Sequence, residues 1–96
     1  PDLLYFGGTS QSGGPQIAID MKGEGLKWPL MVPDGCYEKA FIDGAGADTF
    51  SAVPCYATIG GYDPGQMVAA GGNGAAFVKR YKEKYGKDPE AYAVYG

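Results

Sequence analysis

The chain has 96 residues, 45% of them hydrophobic, and eleven acids against eight bases give a formal net charge of −3. That length fits one small domain with a modest core. The acidic balance, with no basic stripe interleaved with aromatics, argues against nucleic acid as a partner. Histidine is absent and Cys36 and Cys55 are the only thiols. This excludes the usual zinc constellations, Cys-His pairs and Ser-His-Asp triads built within the chain. No apolar run approaches the ~20 residues that span a bilayer, so no membrane insertion is expected.

Leu3 to Phe6 form the first apolar run and read as a buried strand. Gly7 to Gly14 is a loop of glycines and hydroxyls. Pro15 then suits the first turn of a helix whose apolar face is Ile17, Ala18 and Met21, ended by Gly23 and Gly25. Trp28 to Val32 is a second continuous apolar run, as expected of a parallel strand covered on both faces. Pro33-Asp34-Gly35 is turn chemistry at its carboxyl end. A second helix is predicted from Cys36 to Ile42, with Tyr37, Ala40 and Phe41 on one face and Gly44 and Gly46 as stops.

Phe50 to Thr58 is predicted as a third strand, and Pro54 inside it points to an edge or a bulge. Ile59 to Gly72 reads as a long loop with room for a short helical turn. Asn73 is the predicted N-cap of a third helix with Phe77, Val78, Tyr81 and Tyr85 on its core face and Gly86 closing it. Asp88-Pro89 then restarts a helix through Tyr95. The five bases between Lys79 and Lys87 read as a solvated helix end that complements the dipole. This order predicts an α/β fold, a three-layer parallel sheet with flanking helices, in a single partial domain over residues 1–96.

In such sheets ligands meet the carboxyl ends of the strands. Asp34 is the one acid at a predicted strand end, where it can meet a ligand or cap the next turn. The Gly7 to Gly14 loop lacks the Lys-Ser/Thr of a P-loop and the spacing of the dinucleotide fingerprint. It still sets backbone N–H groups, Gly8 among them, and the Thr9 and Ser10 hydroxyls at a strand end, where a polar small ligand could bind. Tyr92, in the opening of the last helix, can pack inward or face a cleft. No acid–base set or nucleophile emerges, so the chain does not read as an enzyme, and no cofactor or metal is expected. Cys36 and Cys55 lie at or near the carboxyl halves of neighbouring predicted strands, where a disulfide and two free thiols are both open readings.

The ordered set YFGG (Tyr5 to Gly8), GLKWPLMVPDG (Gly25 to Gly35), GADTF (Gly46 to Phe50) and AAFVKRYKEKYGKDPEAYAVYG (Ala75 to Gly96) resembles the second lobe of the periplasmic Leu/Ile/Val-binding protein family. These are the solute receptors of branched-chain-type amino-acid ABC transporters. The resemblance implies half of a flavodoxin-like lobe in a two-lobe receptor that closes on an amino acid or similar small molecule. It implies a permease as partner, a periplasmic location (or a lipid-anchored extracellular one in a Gram-positive parent) and a signal peptide in the parent.

By the same resemblance, Asp34 stands where an acid pairs with the ligand's ammonium, and Tyr92 matches an aromatic that covers the ligand. Thr9 stands where the family often has an aromatic. A ligand-sensing receptor domain of the same fold is the alternative, and a nucleotide- or flavin-binding enzyme domain a more distant one. Pro1-Asp2 leads straight into a strand and Gly96 falls short of a helix terminus, so the chain is expected to be a fragment. Its exposed sheet edges are expected to favour self-association.

Overall fold

The computed structural model describes residues 1–95 and divides the chain into two compact units, Pro1–Ile59 and Gly60–Gly96, where the length had suggested one domain.

The first unit is an α/β layer. Its strands are β1 (Leu4–Tyr5), β2 (Leu30–Val32) and β3 (Cys55–Ala57), all parallel, in the order β1-β2-β3. Helix α1 (Gly14–Gly23) joins β1 to β2. Helices α2 (Lys39–Ala45) and α3 (Thr49–Ala52) join β2 to β3. The expected parallel sheet with flanking helices is therefore present. Pro54 immediately precedes the edge strand β3, and its carbonyl accepts the Leu30 N–H at 2.8 Å.

Register decides which side chains meet the helices. Leu4, Leu30 and Cys55 lie side by side, as do Tyr5, Met31 and Tyr56. Because side chains alternate along a strand, these two rows face opposite ways. The first row, with Val32, joins Ala18 and Met21 of α1, Phe41 and Ala45 of α2, Cys36 and Val53 in one core. Leu30 and Val53 are fully buried. The second row carries no helix of this unit, and Tyr5 and Tyr56 are each 58% exposed. The strand order explains this. Two successive right-handed crossovers stepping the same way place their helices on the same face.

Several stretches depart from the sequence reading. The second helix does not start at Cys36. Asp34–Cys36 is a 3-10 turn, the chain extends at Glu38, and α2 begins at Lys39. It runs through Gly44 and stops at Gly46, whose φ of +83° is open to glycine. Phe50 to Ala52 is helical rather than extended. Phe50 stacks on Phe41 at 5.5 Å between ring centroids, and the buried Thr49 hydroxyl donates to the Ala45 carbonyl at 2.7 Å. That packing overrides the strand preference of an aromatic, which is context-dependent.

The second unit is a helical hairpin, α4 (Pro64–Ala70) and α5 (Gly72–Tyr85), followed by a 3-10 turn at Ala93–Tyr95. α4 falls within the stretch read as a long loop with room for a short helical turn, and at seven residues is about two turns long. Its capping box is complete: Asp63 Oδ1 accepts the Gln66 N–H at 2.8 Å, and Gln66 Oε1 accepts the Asp63 N–H at 3.0 Å. Asn73 is not the N-cap of α5: the cap is Gly71, two residues earlier, and Gly71 and Gly72, both with positive φ, make the turn. Met67 and Val78 are buried in the hairpin, with Ala91 also buried. Phe77, Tyr81 and Tyr85 form a chain of ring contacts along α5, yet Tyr85 is 55% exposed. Gly86 ends α5 in the left-handed conformation, as its sequence position predicts. Asp88-Pro89 does not restart an α-helix; only the 3-10 turn follows.

Candidate functional site

The carboxyl ends of β1 and β2 carry the polar residues singled out in the sequence. β1 runs out through Phe6, whose N–H donates to the Met31 carbonyl at 2.9 Å. Gly8 and Thr9 follow, and Thr9 caps a 3-10 turn at Ser10–Ser12. The Ser12 N–H donates to Thr9 Oγ1 at 3.2 Å, and the Thr9 N–H donates to Ser12 Oγ at 2.7 Å. Thr9 is thus a capping residue whose side chain stays exposed.

β2 runs out through Pro33 into the turn containing Asp34. Backbone groups close that turn: the Cys36 N–H donates to the Pro33 carbonyl at 3.0 Å and the Tyr37 N–H to the Asp34 carbonyl at 2.9 Å. The Asp34 carboxylate does no capping. It is exposed and makes no hydrogen bond or ion pair among the described residues. The turn-cap role open to it in the sequence is filled by main chain instead.

The two loops touch. A Cβ built on Gly35 would sit 3.0 Å from Thr9 Cγ2 and 3.4 Å from the Gly8 carbonyl oxygen. The Cys36 S–H donates to that carbonyl at 3.6 Å. Gln11 Nε2 donates to Glu38 Oε1 at 3.1 Å on the outer side. Gly8, Thr9, Ser10 and Asp34 are therefore drawn to one edge of the sheet. Gln11 and Glu38 belong to the same edge and were missed from sequence. Their signal is weak, an amide and an acid each a short step from a residue already chosen.

The charge at this edge is negative. Burial pushes the Cys36 thiol above its ordinary pKa, and the Glu38 and Asp34 carboxylates push it further the same way. The Ser10 hydroxyl acts in the opposite sense, yet its oxygen is buried and meets no partner at hydrogen-bonding geometry. Its hold on the thiol is accordingly weak. Cys55 is raised by burial and then by Cys36. The disulfide left open by the sequence is not formed, and both thiols are free. Cys36 sits in the turn beyond β2 with its sulfur at Gly8, whereas Cys55 opens β3 level with Leu30.

Tyr92 belongs to the second unit. The residue is 41% exposed, and its hydroxyl accepts the Gly60 N–H at 2.9 Å. Among the described residues no group of three or more His, Cys, Asp or Glu side chains could hold a metal ion. No described helix is long and apolar enough to cross a membrane. No family model, curated protein or solved structure matches the chain.

Proposed function

We propose that the chain is part of a solute receptor that binds a small molecule bearing an ammonium group, an amino acid in the first instance, and delivers it to an ABC transporter permease outside the cytoplasmic membrane. The observation that carries this is the uncommitted Asp34 carboxylate at the end of β2, in a turn whose next residue, Gly35, lies against Gly8 and Thr9 at the end of β1. Adjacent strand ends in a parallel sheet are where such folds bind small polar ligands. A carboxylate without an internal partner, at an edge where Glu38 adds to the negative field, favours a cation. Charge-assisted hydrogen bonds to an ammonium are about twice as strong as neutral ones. The resemblance to the Leu/Ile/Val-binding family supports the same ligand class. The chemistry is binding without bond-making, since no nucleophile–base pair accompanies Asp34.

The test is an NMR titration of the chain with L-leucine and with N-acetyl-L-leucine, which lacks the ammonium. Shifts at Thr9, Ser10 and Asp34 are expected with the first ligand only. Asp34→Asn should weaken binding by about tenfold or more, which corresponds to about 1.4 kcal/mol. Equal binding of the acetylated ligand, or unchanged affinity in Asp34→Asn, would sink the reading.

A further inference from the structure

We infer that Gly35 and Cys36 are positioning residues that lock the Gly8–Ser12 loop to the Asp34 turn, so that the polar edge of the first unit is set before any ligand arrives. The consequence for ligand binding rests on the solute-binding reading; the lock itself does not.

Three contacts make the lock. Gly35 lets two backbones approach. With Thr9 Cγ2 at 3.0 Å and the Gly8 carbonyl at 3.4 Å from an added Cβ, a side chain at 35 makes Thr9 give way by a few tenths of an ångström. Cys36 supplies a donor of the right reach. Its sulfur is 3.6 Å from the Gly8 carbonyl oxygen, and the residue is only 2% exposed. A thiol is a small apolar group with a weak donor, so it can fill a core position and still hold a carbonyl. Gly14 completes the seat. A Cβ there would meet Cys36 Sγ at 3.2 Å, so the first residue of α1 lies directly against the sulfur. Thr9 and Ser12 then fix the loop internally through their reciprocal hydrogen bonds. Asp34 and Thr9 hold their spacing through these neighbouring residues. Presetting of this kind lowers the ordering cost that binding must overcome.

Two readouts test the lock without a ligand. In the Cys55→Ala chain, Cys36 is the only thiol, and its Raman S–H stretch should lie below that of a thiol in water. Gly35→Ala should move the band back toward the free-thiol position. Amide hydrogen exchange supplies the second readout. Cys36→Ala should speed exchange at Thr9 and Ser12 by about tenfold, the loss of about 1.4 kcal/mol of local protection. Cys36→Ser should restore only part of it, because the hydroxyl is again a donor but its shorter bond to Cβ has less reach. The Phe6 amide, in the ladder to Met31, serves as the control for folding. If Gly35→Ala also loses that protection, the Cys36→Ala and Cys36→Ser pair decides. A free-thiol band in Cys55→Ala, or wild-type exchange at Thr9 and Ser12 in Cys36→Ala, overturns the inference. Absence of amino-acid binding would count against the solute-binding reading alone, since neither readout involves a ligand.

Discussion

The phenolic oxygen of Tyr95 accepts the backbone N–H of Tyr62 at 2.9 Å and in doing so lies directly over the α-carbon of Gly61. Tyr92 makes the matching bond to the Gly60 N–H. The final 3-10 turn of the described chain thus pins the first residues of the second unit. Gly61→Ala should break this arrangement, because a Cβ cannot share the space with the Tyr95 hydroxyl. The expected loss is about 1–2 kcal/mol in urea unfolding of the chain, the scale of one hydrogen bond plus an unsatisfied donor. Tyr95→Phe should cost less, about 0.5–1.5 kcal/mol, because the freed N–H can turn to water. Wild-type stability in Gly61→Ala would show that the turn is not held by this bond.

Asp63 should matter more than its loop setting suggests. Asp63→Ala removes one half of the capping box of α4 and should cost about 1 kcal/mol. Asp63→Asn, which keeps an acceptor, should cost clearly less. Thermal unfolding followed by far-ultraviolet circular dichroism would separate the two. Equal losses would show that the charge at the helix start matters and the hydrogen bond does not.

Thiol chemistry offers a check with a defined sign. Burial raises both thiols above the ordinary value of 9.0. Such groups favour the folded state fully below the unfolded pKa, and that advantage is lost as pH rises from about 9 through the raised folded values. Wild-type stability should therefore fall more steeply above pH 9 than that of Cys36→Ala. Iodoacetamide at neutral pH should label half-buried Cys55 before buried Cys36, and both more slowly than in urea. Faster labelling of Cys36, read by peptide mass spectrometry, would contradict its burial.

Much of the fold was legible because its signals were local. The apolar run ending at Val32, the Pro15 start of α1 and the Gly86 stop of α5 each follow from one residue type in one backbone role. The errors arose where packing outweighed propensity. Phe50 carries strand-like chemistry, but its ring stacks on Phe41 only when Thr49–Ala52 is helical. Two signals in the sequence were passed over. Asp63-Pro64 followed by Gln66 is a full helix-start pattern, and Gly71-Gly72 is a better turn than Asn73. At the strand ends, Asp34 and Thr9 could be chosen from position along the chain. Their closeness could not, because it depends on the missing Cβ of Gly35 and the reach of the Cys36 sulfur.

The order β1-β2-β3 also constrains how the first unit assembles. Each strand pairs with its nearest neighbour in sequence, so no distant segment must arrive before the next ladder can close. β2 alone serves both ladders. Partners 26 and 25 residues apart (Leu4 with Leu30, Leu30 with Cys55) still require loop closure before either ladder forms, and the shared strand concentrates that barrier on its residues. Leu30→Ala should therefore slow refolding, whereas Val53→Ala should mainly hasten unfolding, in stopped-flow measurements on the two variants. The central strand that presents Asp34 at its end is then the piece of chain whose early placement lets the rest of the layer form.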